Sequence, residues 1–175
     1  MLMEYAQQGN LYEWIQNQKS QDEQICIDYI KDVIKALSYL HSQNPPIIHR
    51  DIKPENILIN GATLKIADFG WSNYQKCIRN TFCGTPDYLS PEMILGSGHD
   101  ESVDIWGVGV LFYEMLHRKT PFRHDINPND RQAVKKLEHN ILKGHYIFDE
   151  WISPQSRELI GMLLSPQRSK RPTAR

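Results

Sequence analysis

Cysteine is scarce in this sequence, and the three present, Cys26, Cys77 and Cys83, follow no metal-ligand spacing. An odd number argues against a disulfide scaffold and favours a reducing, intracellular compartment. An excess of either charge is absent too, with 20 Lys and Arg against 21 Asp and Glu. Charged residues make up 23% and the formal net charge is -1, so the chain lacks the bulk basic field that nucleic acid or an anionic membrane attracts. No apolar run approaches the roughly 20 residues that span a bilayer. The opening M-L-M-E-Y-A has neither the charged n-region nor the apolar core of a signal peptide. Internal repeats and low-complexity segments are absent as well. What remains is a chain of 175 residues, large enough to bury a real core as one compact unit.

The most informative stretch runs from His49 to Asn56, H-R-D-I-K-P-E-N. It is a compact polar loop between Ile47-Ile48 and Ile57-Leu58-Ile59. Its residues suit chemistry on a phosphate ester: Asp51 to accept a hydroxyl proton, Lys53 for a phosphate oxygen, Asn56 for a metal. Any one of them alone would fit an ordinary charged turn. Asp68-Phe69-Gly70 follows twelve residues after Asn56, behind another short apolar strand. Together the two segments outweigh the turn.

Around this centre the local signals are regular. Gly9 marks a turn, and Asn10 caps a short helix carrying Leu11, Tyr12, Trp14 and Ile15. Ser20 with Glu23 reads as a capping box for a long helix with Cys26, Ile30, Val33 or Ile34, Leu37 and Leu40 on its buried face. Asn44-Pro45-Pro46 ends it. Ile57 to Ala67 reads as strand, Asn60-Gly61 turn and strand. The irregular stretch from Trp71 to Tyr88 reads as a long functional loop. Asp100 or Ser102 starts a helix that is apolar nearly all round from Val103 to Leu116, hence central. Asp104 on it is either a buried carboxylate in need of donors or an exposed charge favoured by the helix dipole. Pro121-Phe122 closes that helix, and Arg123 to Asp130 reads as surface loop. Ala133, Val134, Leu137 and Ile141 mark an amphipathic helix. Ser153-Pro154 opens a last one with Leu159, Ile160, Met162, Leu163 and Leu164.

In order along the chain, H-R-D-I-K-P-E-N, D-F-G, S-P-E at Ser90 to Glu92, D-I-W-G-V-G from Asp104 and the late Arg171 resemble a protein kinase catalytic domain over essentially all 175 residues. Lys53 within H-R-D-I-K and the G-T-P-D-Y-L-S-P-E segment resemble the serine/threonine branch. D-F-G-W-S, T-F-C-G-T, Y-L-S-P-E-M-I and G-H-D-E-S-V-D-I-W resemble the Aurora family. Pro86 and the length of the segment from Phe122 to Pro154 depart from that pattern. The resemblance implies an α+β, mainly α-helical fold, the kinase C-lobe, with a small β-hairpin carrying the catalytic loop and D-F-G. Residues 1–10 would be the hinge and 11–175 the C-lobe, incomplete at its C-terminal end and without an N-lobe.

The same resemblance implies the roles. Asp51, Lys53 and Thr85 are the expected catalytic residues, with ATP and Mg2+ as cofactors. Met3 takes the gatekeeper position. Glu4 and Ala6 face adenine through their backbones, Asn10 the ribose, and Leu58 the adenine floor. Lys53, Glu55, Asn56 and Asp68 complete the ATP site, with Asn56 and Asp68 on the metal. Thr81 is the expected phosphosite and Arg50 its partner. Cys83, two residues on, fits a packing role better than a redox one. Glu55, Glu114 and Phe82 meet a protein substrate with Arg two residues before its Ser or Thr, a preference that Arg79 ahead of Thr81 also fits. Asp104 would hold the catalytic-loop backbone, Arg171 would pair with Glu92, and His49 and Phe69 would pack inside. An activating protein partner is expected, nucleic acid and membrane are not. Cytoplasm or nucleus is the expected location, with spindle or centrosome for an Aurora-like enzyme.

The sequence contains no G-x-G-x-x-G loop, no V-A-I-K lysine and no partner-helix Glu, the parts that grip ATP phosphates. The 175 residues alone are therefore expected to be inactive. The competing expectation is a non-catalytic C-lobe binding module or a pseudokinase remnant.

Overall fold

The computed structural model describes residues 4–18, 20–71, 73–74, 86–127 and 129–175, with the backbone alone at 71, 73 and 74. The expected positions Met3, Arg79, Thr81, Phe82, Cys83 and Thr85 lie outside the described residues. Six α-helices are described: α1 (Leu11–Asn17), α2 (Glu23–His41), α3 (Pro91–Leu95), α4 (Ser102–His117), α5 (Ala133–Lys143) and α6 (Pro154–Leu163). Four short strands, β1 (Ile47–Ile48), β2 (Ile57–Asn60), β3 (Thr63–Ile66) and β4 (Asn73–Tyr74), form two separate antiparallel pairs. The fold is thus mainly helical with a small hairpin, as expected. The β1–β4 pair was not expected, because the segment after D-F-G reads as irregular. Ile47 opposite Tyr74 and Ile48 opposite Asn73 instead tie its start to the strand before the catalytic loop.

Helix α4 is the centre. Every residue from Val103 to His117 is buried, so it has no solvent face and every neighbour packs on it. Trp106, Phe112, Tyr113 and Met115 are among the largest fully buried side chains. Helix α2 lays Cys26, Ile30, Val33, Leu37 and Leu40 against this core. Burial, with Asp22 and Glu23 nearby, pushes the Cys26 thiol up to about 12, so it is an inert packing residue. From the other side, Ile160, Leu163 and Leu164 join the core.

The helix ends show where local reading worked. Asn10 Oδ1 accepts from Glu13 N at 2.9 Å, and Ser153 Oγ accepts from Ser156 N at 3.2 Å. The expected Ser20–Glu23 box does not form. Asp22 caps α2, its Oδ1 accepting from Gln24 N and Ile25 N. A carboxylate one residue before the helix reaches these amides better than a hydroxyl three residues before it. Glu23 instead accepts from Ser153 Oγ at 2.5 Å, joining the starts of α2 and α6. Helix α4 starts at Ser102, whose backbone N donates to Asp100 Oδ1 at 3.0 Å.

His117 closes α4. Its Nδ1–H donates to the Tyr113 carbonyl at 3.0 Å and its Nε2 accepts from Asp149 N at 3.2 Å, which fixes a neutral imidazole. The ring stacks on Tyr113 with centroids 3.8 Å apart. Burial, helped by Lys119 and Arg157 and opposed by the Tyr113 carbonyl and Asp149, holds it below the ordinary imidazole value. The folded state therefore binds fewer protons here than the unfolded one. The stability present above about pH 6.5 is lost as pH falls below it. His99, also lowered by burial, acts in the same direction. The urea midpoint is expected to fall between pH 7 and about 5.5, with a shallower fall in His117→Gln. An unchanged slope in that variant removes His117 from the account.

Candidate active site

The catalytic-loop segment is held by one buried carboxylate. Asp104 Oδ1 accepts from Arg50 N at 2.7 Å, and Oδ2 accepts from His49 N at 2.9 Å and from His41 Nε2 at 2.8 Å. Of the two readings left open for Asp104, the buried one holds. Arg50 sits at φ 69 and Asp68 at φ 60, left-handed conformations that cost a non-glycine residue on the order of 1–3 kcal/mol. The bond to Asp104 offsets the cost at Arg50. Helix α4 also approaches the loop closely. A Cβ at Gly107 would lie 2.9 Å from Ile52 Cβ and 3.2 Å from its carbonyl oxygen.

Beyond this anchor the polar groups converge. Asp51 Oδ2 accepts from Asn56 Nδ2 at 2.8 Å and lies 2.8 Å from Lys53 Nζ. Asn56 Nδ2 also donates to the Asp51 carbonyl at 2.9 Å. Asp51 Oδ1 accepts no hydrogen bond among the described residues. His49 is fully buried, its Nε2–H donating to the Ala67 carbonyl at 3.0 Å and its Nδ1 accepting from Asp51 N at 3.3 Å. Phe69 meets the His49 ring edge-on at 5.0 Å. The expectation of an interior Phe69 is met only in part, since 45% of it is exposed.

The hairpin brings Asp68 to the same place. Ile57 pairs with Ile66, and Ala67 N donates to the Asn56 carbonyl at 2.8 Å. Asn56 and Asp68 therefore leave the open end of one hairpin together. The Asn56 amide nitrogen is used by Asp51, which leaves its amide oxygen for a ligand. Asp68 Oδ1 accepts from Gly70 N at 3.1 Å, which leaves Oδ2. One amide and one carboxylate oxygen fit Mg2+, a hard cation that takes few protein ligands and completes its shell with phosphate and water. No group of three or more His, Cys, Asp or Glu side chains that could hold a metal ion occurs among the described residues.

The first residues line the hairpin's other edge. Asn10 bridges Leu58, and Ile59 N donates to the Gly9 carbonyl at 3.0 Å. Leu58 is half-buried on the face opposite Ile57 and Ile59. The Glu4 side chain is exposed and turns to the hairpin, accepting from Asn60 and lying 3.6 Å from Lys65 Nζ. Ala6 is half-buried.

Past residues 75–85, the chain is tied down three times. Asp87 is buried and accepts from Arg123 Nε, from Arg123 Nη2 at 2.9 Å and from Thr120 Oγ1 at 2.9 Å. This clasp was missed, because Arg123 opens a polar stretch that reads as surface. Nothing in the composition of either segment signals the pairing. Tyr88 OH donates to Glu114 Oε2 at 2.6 Å. Burial raises the Glu114 pKa, and Glu55 and Asp87 raise it further, against the Tyr88 bond. Glu55 itself is exposed. Glu92 is held by Arg171, Nη1 at 2.6 Å and Nη2 at 2.8 Å. Arg171 also lies over the Trp106 ring at 4.9 Å.

Comparison with known proteins places the chain. The family described as protein kinase domain matches residues 1–175. An Aurora/IPL1-related protein kinase 2 of Caenorhabditis briggsae is 42% identical over 166 residues, 94% of this chain and 52% of that protein. An Aurora kinase of Patiria pectinifera is 44% identical over 175 residues, 98% of this chain and 41% of that protein. An Aurora kinase B of Danio rerio is 40% identical over 173 residues, 98% of this chain and 51% of that protein. The chain thus spans about half, or somewhat less, of the length of the curated relatives it matches.

Asp104→Asn keeps the size but removes one acceptor from the loop amides. Faster hydrogen exchange at His49 and Arg50 is expected, with a loss of about 1–3 kcal/mol in urea unfolding. Unchanged protection at those two amides would contradict the anchor.

Proposed function

Since the chain belongs to the protein kinase domain family, we propose that its 175 residues form the substrate side of a serine/threonine kinase site. By themselves they are a binding lobe that turns over no ATP. Joined to a phosphate-gripping lobe, they transfer the γ-phosphoryl group of ATP to protein hydroxyls. The observation that carries the reading is the Asp51 cluster, in which Asn56 and Lys53 hold one carboxylate oxygen and leave the other open. The missing Gly-rich loop and strand lysine favour the binding-lobe reading for these residues alone.

In the completed site, Asp51 Oδ1 orients the substrate hydroxyl and takes its proton. Lys53 neutralises oxygens of the moving phosphoryl group, and Thr85 is the third catalytic residue. Asn56 and Asp68 would hold Mg2+, which supplies charge neutralisation at the phosphates when bound. Leu58 floors the adenine, the Glu4 and Ala6 backbones meet its edge, and Asn10 and the Glu55 segment lie towards ribose and phosphates. A phosphate on Thr81 pairs with Arg50. The expected stations are cytoplasm or nucleus, and spindle or centrosome for an Aurora-like protein with an activating partner.

The substrate carries Arg two residues before its Ser or Thr, read by Glu55 and Glu114, and Phe82 is a further substrate-binding residue. The raised pKa of Glu114 supports this, because burial beside two other acids is what an arriving guanidinium relieves. A planar fork between two carboxylates also has a geometry that Lys lacks.

Calorimetry of the chain with Mg-ATP is expected to show no binding in the micromolar range. Micromolar binding, or phosphate transfer that Asp51→Asn abolishes, would overturn the binding-lobe reading. In a protein completed with an Aurora N-terminal lobe, Asp51→Asn and Asp68→Asn should each abolish turnover without unfolding the chain. On a peptide array the completed protein should prefer Arg at that position, and Glu114→Ala should erase the preference. Survival of the preference in Glu114→Ala removes the Glu55–Glu114 pocket.

A further inference from the structure

This lobe pairs most of its lysines with its own acids. Among the described residues, Lys31, Lys35, Lys53, Lys65, Lys119 and Lys136 each have a carboxylate within ion-pair distance. Arg131, Lys135 and Lys143 are exposed and make no hydrogen bond or ion pair among the described residues. All three belong to α5 or its approach. Leu137, Asn140 and Ile141 bury one side of that helix, so Lys135, His139 and Lys143, spaced four apart, line the opposite, exposed side. Arg131 stands one step of four before Lys135. The nearby acids do not answer them: Asp130 is taken by Lys136 at 2.6 Å, and the half-buried Glu138 makes no ion pair. Helix α5 also packs against α3. These two helices carry the two most exposed large aliphatic side chains among the described residues, Leu95 at 65% and Val134 at 58%. Unpaired cations and uncovered apolar groups thus meet at one corner. It lies in the segment from Phe122 to Pro154, whose length departs from the Aurora pattern.

We propose that the outer side of α5, with Leu95 of α3, docks an acidic amphipathic segment of a protein partner. Its carboxylates meet Arg131, Lys135 and Lys143, and its apolar side chains cover Val134 and Leu95. Residues four apart on a helix are separated by a rise of about 6 Å, so the cations form a row that carboxylates repeated at that interval match. A plain polyanion would leave Val134 and Leu95 in water. It would also call for a broader basic field than a chain of formal net charge -1 provides. Exposed ion pairs add little each, so the apolar contacts supply much of the affinity and the charges select the partner. Helix α5 also packs on the turn Pro121–Arg123, whose Arg123 clasps Asp87. A docked partner therefore lies near the end of the segment after D-F-G. The proposal is independent of the phosphoryl-transfer reading.

Fluorescence anisotropy tests this with a labelled helical peptide that carries glutamates four residues apart and leucines beside them. Its counterpart has glutamine in place of each glutamate. Phosphatidylserine vesicles and a single-stranded DNA oligonucleotide stand for the other polyanions. The glutamate peptide is expected to bind about tenfold more tightly than the glutamine peptide, and to lose affinity as salt is added. Lys135→Glu with Lys143→Glu is expected to weaken it about tenfold, the equivalent of two surface ion pairs. Lys31→Glu, on α2, is expected to leave it unchanged, and Leu95→Ser to weaken it. Amide NMR shifts of the unaltered chain should concentrate on α5 and Leu95, a readout that needs no variant to fold. Equal binding of the two peptides, equal weakening by Lys31→Glu, shifts centred elsewhere or no binding would each overturn the proposal. Tighter binding of vesicles or DNA than of the glutamate peptide overturns the acidic segment as occupant. Full affinity in Leu95→Ser and Val134→Ser overturns its amphipathic character.

Discussion

The Asp104 carboxylate is the constraint on which the lobe's chemistry depends. It has no solvent exposure, so its charge is tolerable only if donors fill it, and three do. Two of them are consecutive backbone amides of the catalytic loop. Directly after the second of these amides the chain turns through the left-handed region at Arg50. That bend carries the chain round so that Asp51 faces Lys53 and Asn56. The third donor, His41, ends α2, so the long helix, the central helix and the loop share one charge. The side-chain-free Gly107 completes the arrangement by letting α4 lie against Ile52.

The Arg171–Glu92 pair works differently. Isolated buried ion pairs contribute little net stability, because desolvation cancels much of their attraction. Here the guanidinium has further partners. It donates to the Ser102 and Ser165 carbonyls and covers the Trp106 face. One cation thus fixes the start of α4, the end of α6 and the S-P-E turn relative to one another. With Asp87 on Arg123 and Tyr88 on Glu114, it makes the end of the segment after D-F-G a fixed boundary.

Much of this was legible in the sequence where a feature is local or carried by a dense motif. The Asn10 and Ser153 caps, the Ile57–Ile66 hairpin and the all-round apolar α4 follow from spacing alone. The pairing of Arg171 with Glu92, 79 positions apart, is invisible to periodicity and came only from motif order. The failures were also long-range or competitive. Asp22 outcompeted Ser20 at the start of α2 because it lies closer to the free amides. Glu23 was drawn to Ser153, 130 positions away. The Asp87–Arg123 clasp joins two segments whose own compositions both read as loop.

The distribution of partners separates structural from chemical charges in this lobe. Asp104, Glu92 and Asp87 are buried, and donors occupy both oxygens of each. Groups so filled can hold backbone in place but have nothing left for a ligand. Among the described residues, Asp51 has one oxygen held and one open, Asp68 has one oxygen taken by a neighbouring amide and one open, and the Arg50 guanidinium has no anion. Leaving such groups half-satisfied costs stability, so the filled carboxylates and the rigid central helix must hold them there. The spare valences all belong to the same loop and hairpin end. The chemistry of this lobe is therefore located by what its own side chains leave unsatisfied.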